Sequence, residues 1–258
     1  MFRREIDDRE LDEAVATYRR EGYAHLPAVG DDATMAALGE RARAIMHGEI
    51  TYDGLFFQLD TPSGKYEDLV FGEGWEGPSD AYRKIEKLEL DPLYRAWLGN
   101  SVFERIAKRV IGGPTSIYRA VLFTKAARGG SNLPFHQDAG LFWGIDRDPE
   151  LQLWTAIDDA PADAGCVEVY PRTHFGGLAS PMGGVVPAAK VEASEAGTKT
   201  VQVPAKRGDV LLIHNYVWHR SGRNATDAPR RGFTVCYMPA ETKCRRTKRT
   251  PRQFMRVF

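Results

Sequence analysis

The stretch TSIYRAVLFTK, residues 115–125, is rich in β-branched and aromatic residues and has no glycine or proline, which is the composition of a strand. Five runs of the same texture follow it: LQLWTAIDDA (151–160), GCVEVYP (165–171), TKTVQVPA (198–205), DVLLIHNYVWH (209–219) and RGFTVCYMP (231–239). Gly, Pro and Asp separate them. Toward the N-terminus the period changes. Residues 8–21 and 32–47 carry apolar side chains at helical spacing, the first run preceded by acidic caps and ended by Gly22, and residues 91–111 read as one further helix. Between the first two, YAHLPAV alternates like a short strand. Helices followed by many short strands predict a mainly β protein, an antiparallel sandwich or barrel with helices packed on one side.

Composition narrows the class. At 258 residues and 43% apolar content the chain can bury a large core, and it reads as one domain: a helical and lid region over 1–114, a β core over 115–242 and a basic stretch over 243–258. That last stretch holds seven Lys or Arg and no acid, against a formal net charge of zero for the whole chain. It lacks the interleaved aromatics of a nucleic-acid surface, so it reads as a solvated or self-docking segment and no nucleic-acid partner is expected. Cys166, Cys236 and Cys244 are odd in number and lack CxxC spacing, which argues against a disulfide framework and a structural zinc site. The opening MFRREIDDREL is charged, and no window approaches the roughly twenty apolar residues of a membrane span. The expectation is a soluble, cytoplasmic protein without a membrane partner.

Residues 51–80 mix Gly, Pro, acids and aromatics without sustained period, as a long functional loop with embedded short strands does. Inside it GEGWEG (72–77) matches G-x-G-x-x-G. The mechanism of that fingerprint needs a buried strand before it and a helix N-terminus after it, whereas here the preceding YEDLVF is partly charged and Pro78-Ser79-Asp80 follows. A nucleotide-binding oxidoreductase is therefore a minor alternative.

The chemistry concentrates in LPFHQDAG (133–140). Residues two apart on a strand share a face, so His136 and Asp138 can meet one metal ion, and two histidines with one carboxylate leave coordination positions open on a transition metal. The third ligand must come from among His25, His47, His174, His214 and His219. His214 and His219 differ by five, so on one regular strand they face opposite sides. His219 lies at the strand end beside Ser221 and Gly222, where a ligand can open onto a cavity. His214 sits in the apolar run LLIHNYVW and reads as a hydrogen-bonded histidine of the core or of the site's surroundings.

Three motifs in this order, PFHQDAG, LWTAIDDAPADAGCVEVYPRTHFGG and GDVLLIHNYVWHRSGRNATDAPRR, make residues 118–239 resemble the phytanoyl-CoA dioxygenase family of non-haem iron(II), 2-oxoglutarate-dependent oxygenases. The N-terminal helices and their YAHLPAVGDDATMAAL turn are similar to that family's opening. The resemblance implies a double-stranded β-helix, or jelly-roll, core of the cupin-like kind. It implies Fe(II) on His136, Asp138 and His219, 2-oxoglutarate as cosubstrate and O2 as oxidant. Arg230, eleven positions after His219, falls on the arginine for the distal carboxylate, and a planar guanidinium suits that partner. Its neighbour Arg231 should face the other way, as a surface charge. Further cosubstrate contacts fall on Lys84, Val121, Trp154 and Ser221. Trp154 could equally pack between sheets, and Lys84 could be solvated.

By the same resemblance, 2-oxoglutarate is decarboxylated to succinate and CO2 while a substrate C–H is oxidised. Asp138 stands where halogenating relatives carry a small residue, so the expected outcome is hydroxylation, desaturation or oxidative cyclisation. Phe56, Phe57, Tyr66, Trp75, Phe142 and Trp143, with neighbouring acids, fit a small polar metabolite or else cap the core, and bacterial specialised metabolism such as antibiotic biosynthesis is the leading setting. A metal-binding jelly-roll module without catalysis is the other alternative.

Overall fold

The structure is a computed structural model that describes residues 1–71, 74–247 and 250–258. Gly72 and Glu73 of the GEGWEG stretch, and Lys248 and Arg249 of the basic stretch, lie outside the described residues. The N-terminal part contains α1 (Asp8–Glu21), β1 (Tyr23–Leu26), α2 (Asp32–Met46), β2 (Phe56–Leu59), β3 (Tyr82–Glu86), α3 (Pro92–Leu98) and α4 (Ser101–Val110). The β-rich part runs β4 (Thr115–Lys125), β5 (Leu133–Gln137), β6 (Leu151–Ala156), β7 (Val167–Tyr170), β8 (Gly184–Val185), α5 (Ala188–Glu192), α6 (Ala196–Lys199), β9 (Val201–Val203), β10 (Val210–His214), β11 (Trp218–Ser221) and β12 (Arg230–Pro239).

Two antiparallel sheets face each other, one ordered β1-β10-β6-β12-β4-β3-β2 and the other β8-β5-β11-β7-β9. Alternation along the strands sorts the side chains. On the large sheet Leu122, Leu153, Leu212, Phe233 and Tyr237 point outward and bury against Leu11, Tyr18, Leu38, Trp97 and Phe103 of the helices. Trp154, Ala156, Leu211 and Ile213 point inward and meet Val167 and Val169 of the small sheet and Val217 just before β11. This is the jelly roll that the family resemblance implies, with α1–α4 against the large sheet and α5 and α6 beside the small one. Among the described residues no helix is long and apolar enough to cross a membrane.

Two local expectations need correction. The helix expected over 91–111 is two, because Asn100 leaves helical geometry and its side chain accepts from the Phe103 N–H at 2.9 Å, while Asp91 caps α3 through the Leu93 and Tyr94 N–H groups. The apparent strand over 209–219 is also two, one in each sheet. At the corner the Val217 N–H closes on His214 O at 2.9 Å and the Tyr216 N–H donates to His214 Nδ1 at 3.0 Å. His214 and His219 are therefore separated by a change of sheet, and the expected alternation along one strand does not apply. Over residues 82–86, where no element was expected, β3 pairs Lys84 with Phe123 and Glu86 with Val121 at the side of β4.

His214 belongs to the packing between α1 and the corner. Its ring stacks on Tyr18 at 5.7 Å between centroids and lies 4.9 Å from His174. Burial, with His174 adding to it, pushes the His214 imidazole down to about 4 from its ordinary 6.5. An unfolded chain takes that proton near 6.5, so the folded state loses stability as pH falls from 6.5 toward 4. Denaturant unfolding at several pH values in this window should show a slope that His214→Asn reduces, by up to ~1.4 kcal/mol per pH unit.

Candidate metal centre and cavity

His136 and His219 are cross-strand partners of β5 and β11, with ring centroids 4.0 Å apart. Asp138 lies one residue beyond the end of β5, not within the strand, and its backbone is held by Asn215: the Asp138 N–H donates to Asn215 O at 2.9 Å, and Asn215 Nδ2 donates to Asp138 O at 2.7 Å. One donor atom from each of the three side chains lies within 4.8 Å of the others. Both imidazoles are set in the same way. Nδ1 of His136 donates to Pro134 O and Nδ1 of His219 to Val217 O, each at 3.0 Å. A carbonyl only accepts, so each Nδ1 carries the proton and each Nε2 keeps its lone pair for a metal.

The protonation states agree with that role. Burial and the neighbouring His219 push the His136 imidazole down to about 3, so it stays neutral. Burial works against charge on Asp138, yet Arg119 and the two histidines outweigh it and hold this carboxyl well below the usual range. Arg119 Nη2 sits 2.8 Å from Asp138 Oδ1, and Gln152 Nε2 donates to Oδ2 at 2.8 Å. The Arg119 guanidinium in turn lies over the Trp143 ring, 4.7 Å from its centroid. Two imidazoles that turn Nε2 to a common point and one fixed carboxylate fit a divalent transition metal such as iron.

A cavity of about 670 Å³, mouth included, opens from this cluster. His136, Asp138, His219, Trp154, Ser221 and Arg230 all line it. Arg230 is 3% exposed, its Nη2 donates to Gly165 O, its guanidinium lies 5.8 Å from the Trp154 ring, and its Nε has no partner among the described residues. Trp154 fits there because Gly232 opposes it: a Cβ on Gly232 would come within 2.3 Å of the indole nitrogen. Arg231 faces the helices, as the alternation of β12 requires, but it is not a plain surface charge. It pairs with Asp158 at 2.7 Å and donates to Gly39 O at 2.7 Å, and the missing side chain of Gly39 gives it room.

Lys84 and Val121 are not brought to the cavity wall. Lys84 is ion-paired to Glu86, and Val121 is fully buried in β4. Sequence reasoning passed over Arg119, Gln152 and Lys125. Arg119 and Lys125 have the inward parity of a strand that was recognised, six residues apart on β4, and that parity was the available signal. Of the lid aromatics, Phe57 packs on Tyr82 and Trp75 donates to Met46 O at 3.2 Å, away from the cavity lining. After Gly77 the next regular element is β3, a strand, where the dinucleotide fingerprint needs a helix. The basic stretch docks on the fold: Arg246 donates to Phe142 O at 2.9 Å, Phe254 packs on Tyr118, and Phe258 stacks on Tyr237.

Fold and site together define a jelly-roll protein with a two-histidine, one-carboxylate metal centre. The phytanoyl-CoA dioxygenase family profile matches residues 18–232, and the chain belongs to this family. It is 30% identical over 159 residues to phytanoyl-CoA dioxygenase domain-containing protein 1 of Bos taurus, with 58% of this chain and 54% of that protein covered. With the phytanoyl-CoA dioxygenase of Arabidopsis thaliana it shares 25% over 201 residues, covering 72% and 68%. The match thus spans about half the length of the first of these relatives. Among solved structures it is similar to the epimerase SnoN in complex with Fe3+, alpha ketoglutarate and nogalamycin RO, at TM-score 0.71, 21% identity and coverage of 94% and 89%. EctD from S. alaskensis with 2-oxoglutarate and 5-hydroxyectoine gives TM-score 0.71 at 18% identity, with coverage of 96% and 82%.

Arg119 should matter through Asp138. Arg119→Met removes the partner of Oδ1, and iron(II) affinity, measured by competition with a chelator, should fall by ~10- to 100-fold while the folded state persists.

Proposed function

We propose that this protein is an iron(II)- and 2-oxoglutarate-dependent dioxygenase that hydroxylates or oxidatively cyclises a small polar metabolite, in bacterial specialised metabolism such as antibiotic biosynthesis. The observation that carries the reading is one cavity with a preset His136, Asp138 and His219 at one side and the unneutralised Arg230 guanidinium in its wall. The setting rests on likeness to an epimerase and a carbocyclase from nogalamycin biosynthesis and to EctD with 5-hydroxyectoine, which are small-molecule enzymes of the same fold.

His136, Asp138 and His219 would hold the iron. When bound, the metal supplies O2 activation that couples cosubstrate decarboxylation to oxidation of a C–H bond. The chain's own groups do the rest. Arg119 and Gln152 fix the Asp138 carboxylate, and Asp138 fills the position that a halide would need. Arg230 would receive the distal carboxylate of 2-oxoglutarate through a charge-assisted pair. Burial lowers the Arg230 guanidinium to about 10, so it remains cationic at neutral pH. Trp154 and Ser221 line the cosubstrate's path, and the Tyr118–Trp143 stack, at 4.2 Å between centroids, closes the side behind Arg119 against water.

Purified protein loaded with iron(II) under air should convert 2-oxoglutarate to succinate slowly without added substrate, and Asp138→Ala should not. Iron binding with no succinate under any substrate screen would favour a metal-binding module without turnover. In the same assay Arg230→Ala should raise the 2-oxoglutarate KM at least ~10-fold, by loss of a charge-assisted pair, and Arg231→Ala should act mainly on stability through Asp158.

A further inference from the structure

The cavity wall around Arg230 holds more positive charge than one arginine. Lys125 on β4 is the cross-strand partner of Arg230 on β12, and both side chains line the cavity. Lys125 is 7% exposed and Arg230 3%, yet among the described residues neither makes an ion pair with a carboxylate. Lys125 Nζ donates to Ser131 O at 2.6 Å, and Arg230 donates to Gly165 O; both contacts are to neutral carbonyls. Arg83 adds a third cation to the lining. Among the described residues that line this end, the acid is Asp60, whose field reaches Lys125 and Arg83 while its oxygens accept from the Ser131 N–H at 3.1 Å and the Ser131 hydroxyl. Lys125, Arg230 and Arg83 outnumber Asp60 at this end of the cavity, and burying the excess positive charge is costly unless something anionic joins it.

We propose that Lys125 and Arg230 form a two-cation site that grips the distal carboxylate of the cosubstrate, with Lys125 as a binding residue that selects a dicarboxylate over a 2-oxo monocarboxylate. This rests on the cosubstrate assignment above and extends it to a second residue. The chemistry is complementary: the guanidinium fork meets both carboxylate oxygens in its plane, and an ammonium can approach one of them from the side. Ser131 holds Lys125 in place meanwhile. Burial and the field of Arg230 push the Lys125 ammonium well below its usual range, and an arriving carboxylate reverses that penalty.

The test is a binding comparison. Calorimetric titration of the Mn(II)-loaded protein with 2-oxoglutarate and with 2-oxopentanoate, which carries a methyl in place of the distal carboxylate, measures the preference directly. Wild-type protein should prefer the dicarboxylate strongly. Lys125→Met should weaken 2-oxoglutarate by at least ~10-fold, the scale of one charged hydrogen bond, and leave 2-oxopentanoate within about twofold; Lys125→Arg should restore most of the preference. A Lys125→Met variant that binds both ligands less well by the same factor, or that keeps the wild-type preference, overturns the proposal, with 2-oxopentanoate binding and the melting temperature serving as the check on folding. Failure of wild-type protein to bind either ligand would instead overturn the cosubstrate reading itself, and this proposal with it.

Discussion

The site depends on a clasp between two backbones. Asn215 stands at the corner where the chain leaves the large sheet for the small one, and it holds the Asp138 peptide from both sides, as acceptor for its N–H and as side-chain donor to its carbonyl. The Asn215 N–H also donates to Glu150 O at 2.9 Å, just before β6. One residue thus ties together the segments that carry the carboxylate, the second histidine and Gln152. Without such a tie the metal donors, which come from a strand, the segment past its end and a strand reached through a corner, would drift independently. Preorganisation of this kind is what lets three side chains bind a cation without first ordering themselves.

Electrostatics divides the barrel interior into two ends. At the metal end a carboxylate is held by Arg119 and Gln152 beside two imidazoles, so its charge is balanced by the guanidinium before any cation arrives. On the far side Lys125, Arg230 and Arg83 outnumber Asp60, and among the described residues neither Lys125 nor Arg230 makes a direct ion pair with a carboxylate. A bifunctional ligand with a metal-binding head and an anionic tail matches this polarity in one orientation only. The surrounding Trp154, Val167 and Ile213 keep the dielectric low, which strengthens both ends.

The fold was legible because alternation on the inner strands is strong: β4 spans the quoted stretch residue for residue, and α1 matches its predicted bounds. The candidate ligand cluster was legible through spacing and family resemblance, and the structure brings the three side chains, His136, Asp138 and His219, together. What sequence period could not show is where a strand changes sheet. DVLLIHNYVWH has uninterrupted β texture, and the break is made by Asn215 satisfying a partner some eighty positions away, information absent from any local window. The same holds for 91–111, where a cap inside an apolar helical pattern divides it. Arg119 and Lys125 were overlooked because a charged residue inside a strand reads as solvent-facing until the strand's position in the barrel is known.

The hollow that Gly232 leaves for Trp154 sets the bore of the cavity with two residues and no hydrogen bond of its own. Volume can therefore pass between them: a smaller side chain at Trp154, or a larger one at Gly232 paired with it, would widen or narrow the passage while the clasp, the imidazole tautomers and the cationic wall stay as they are. A lineage of such proteins could move from one ligand size to another by drift at this single contact, keeping its metal chemistry intact throughout.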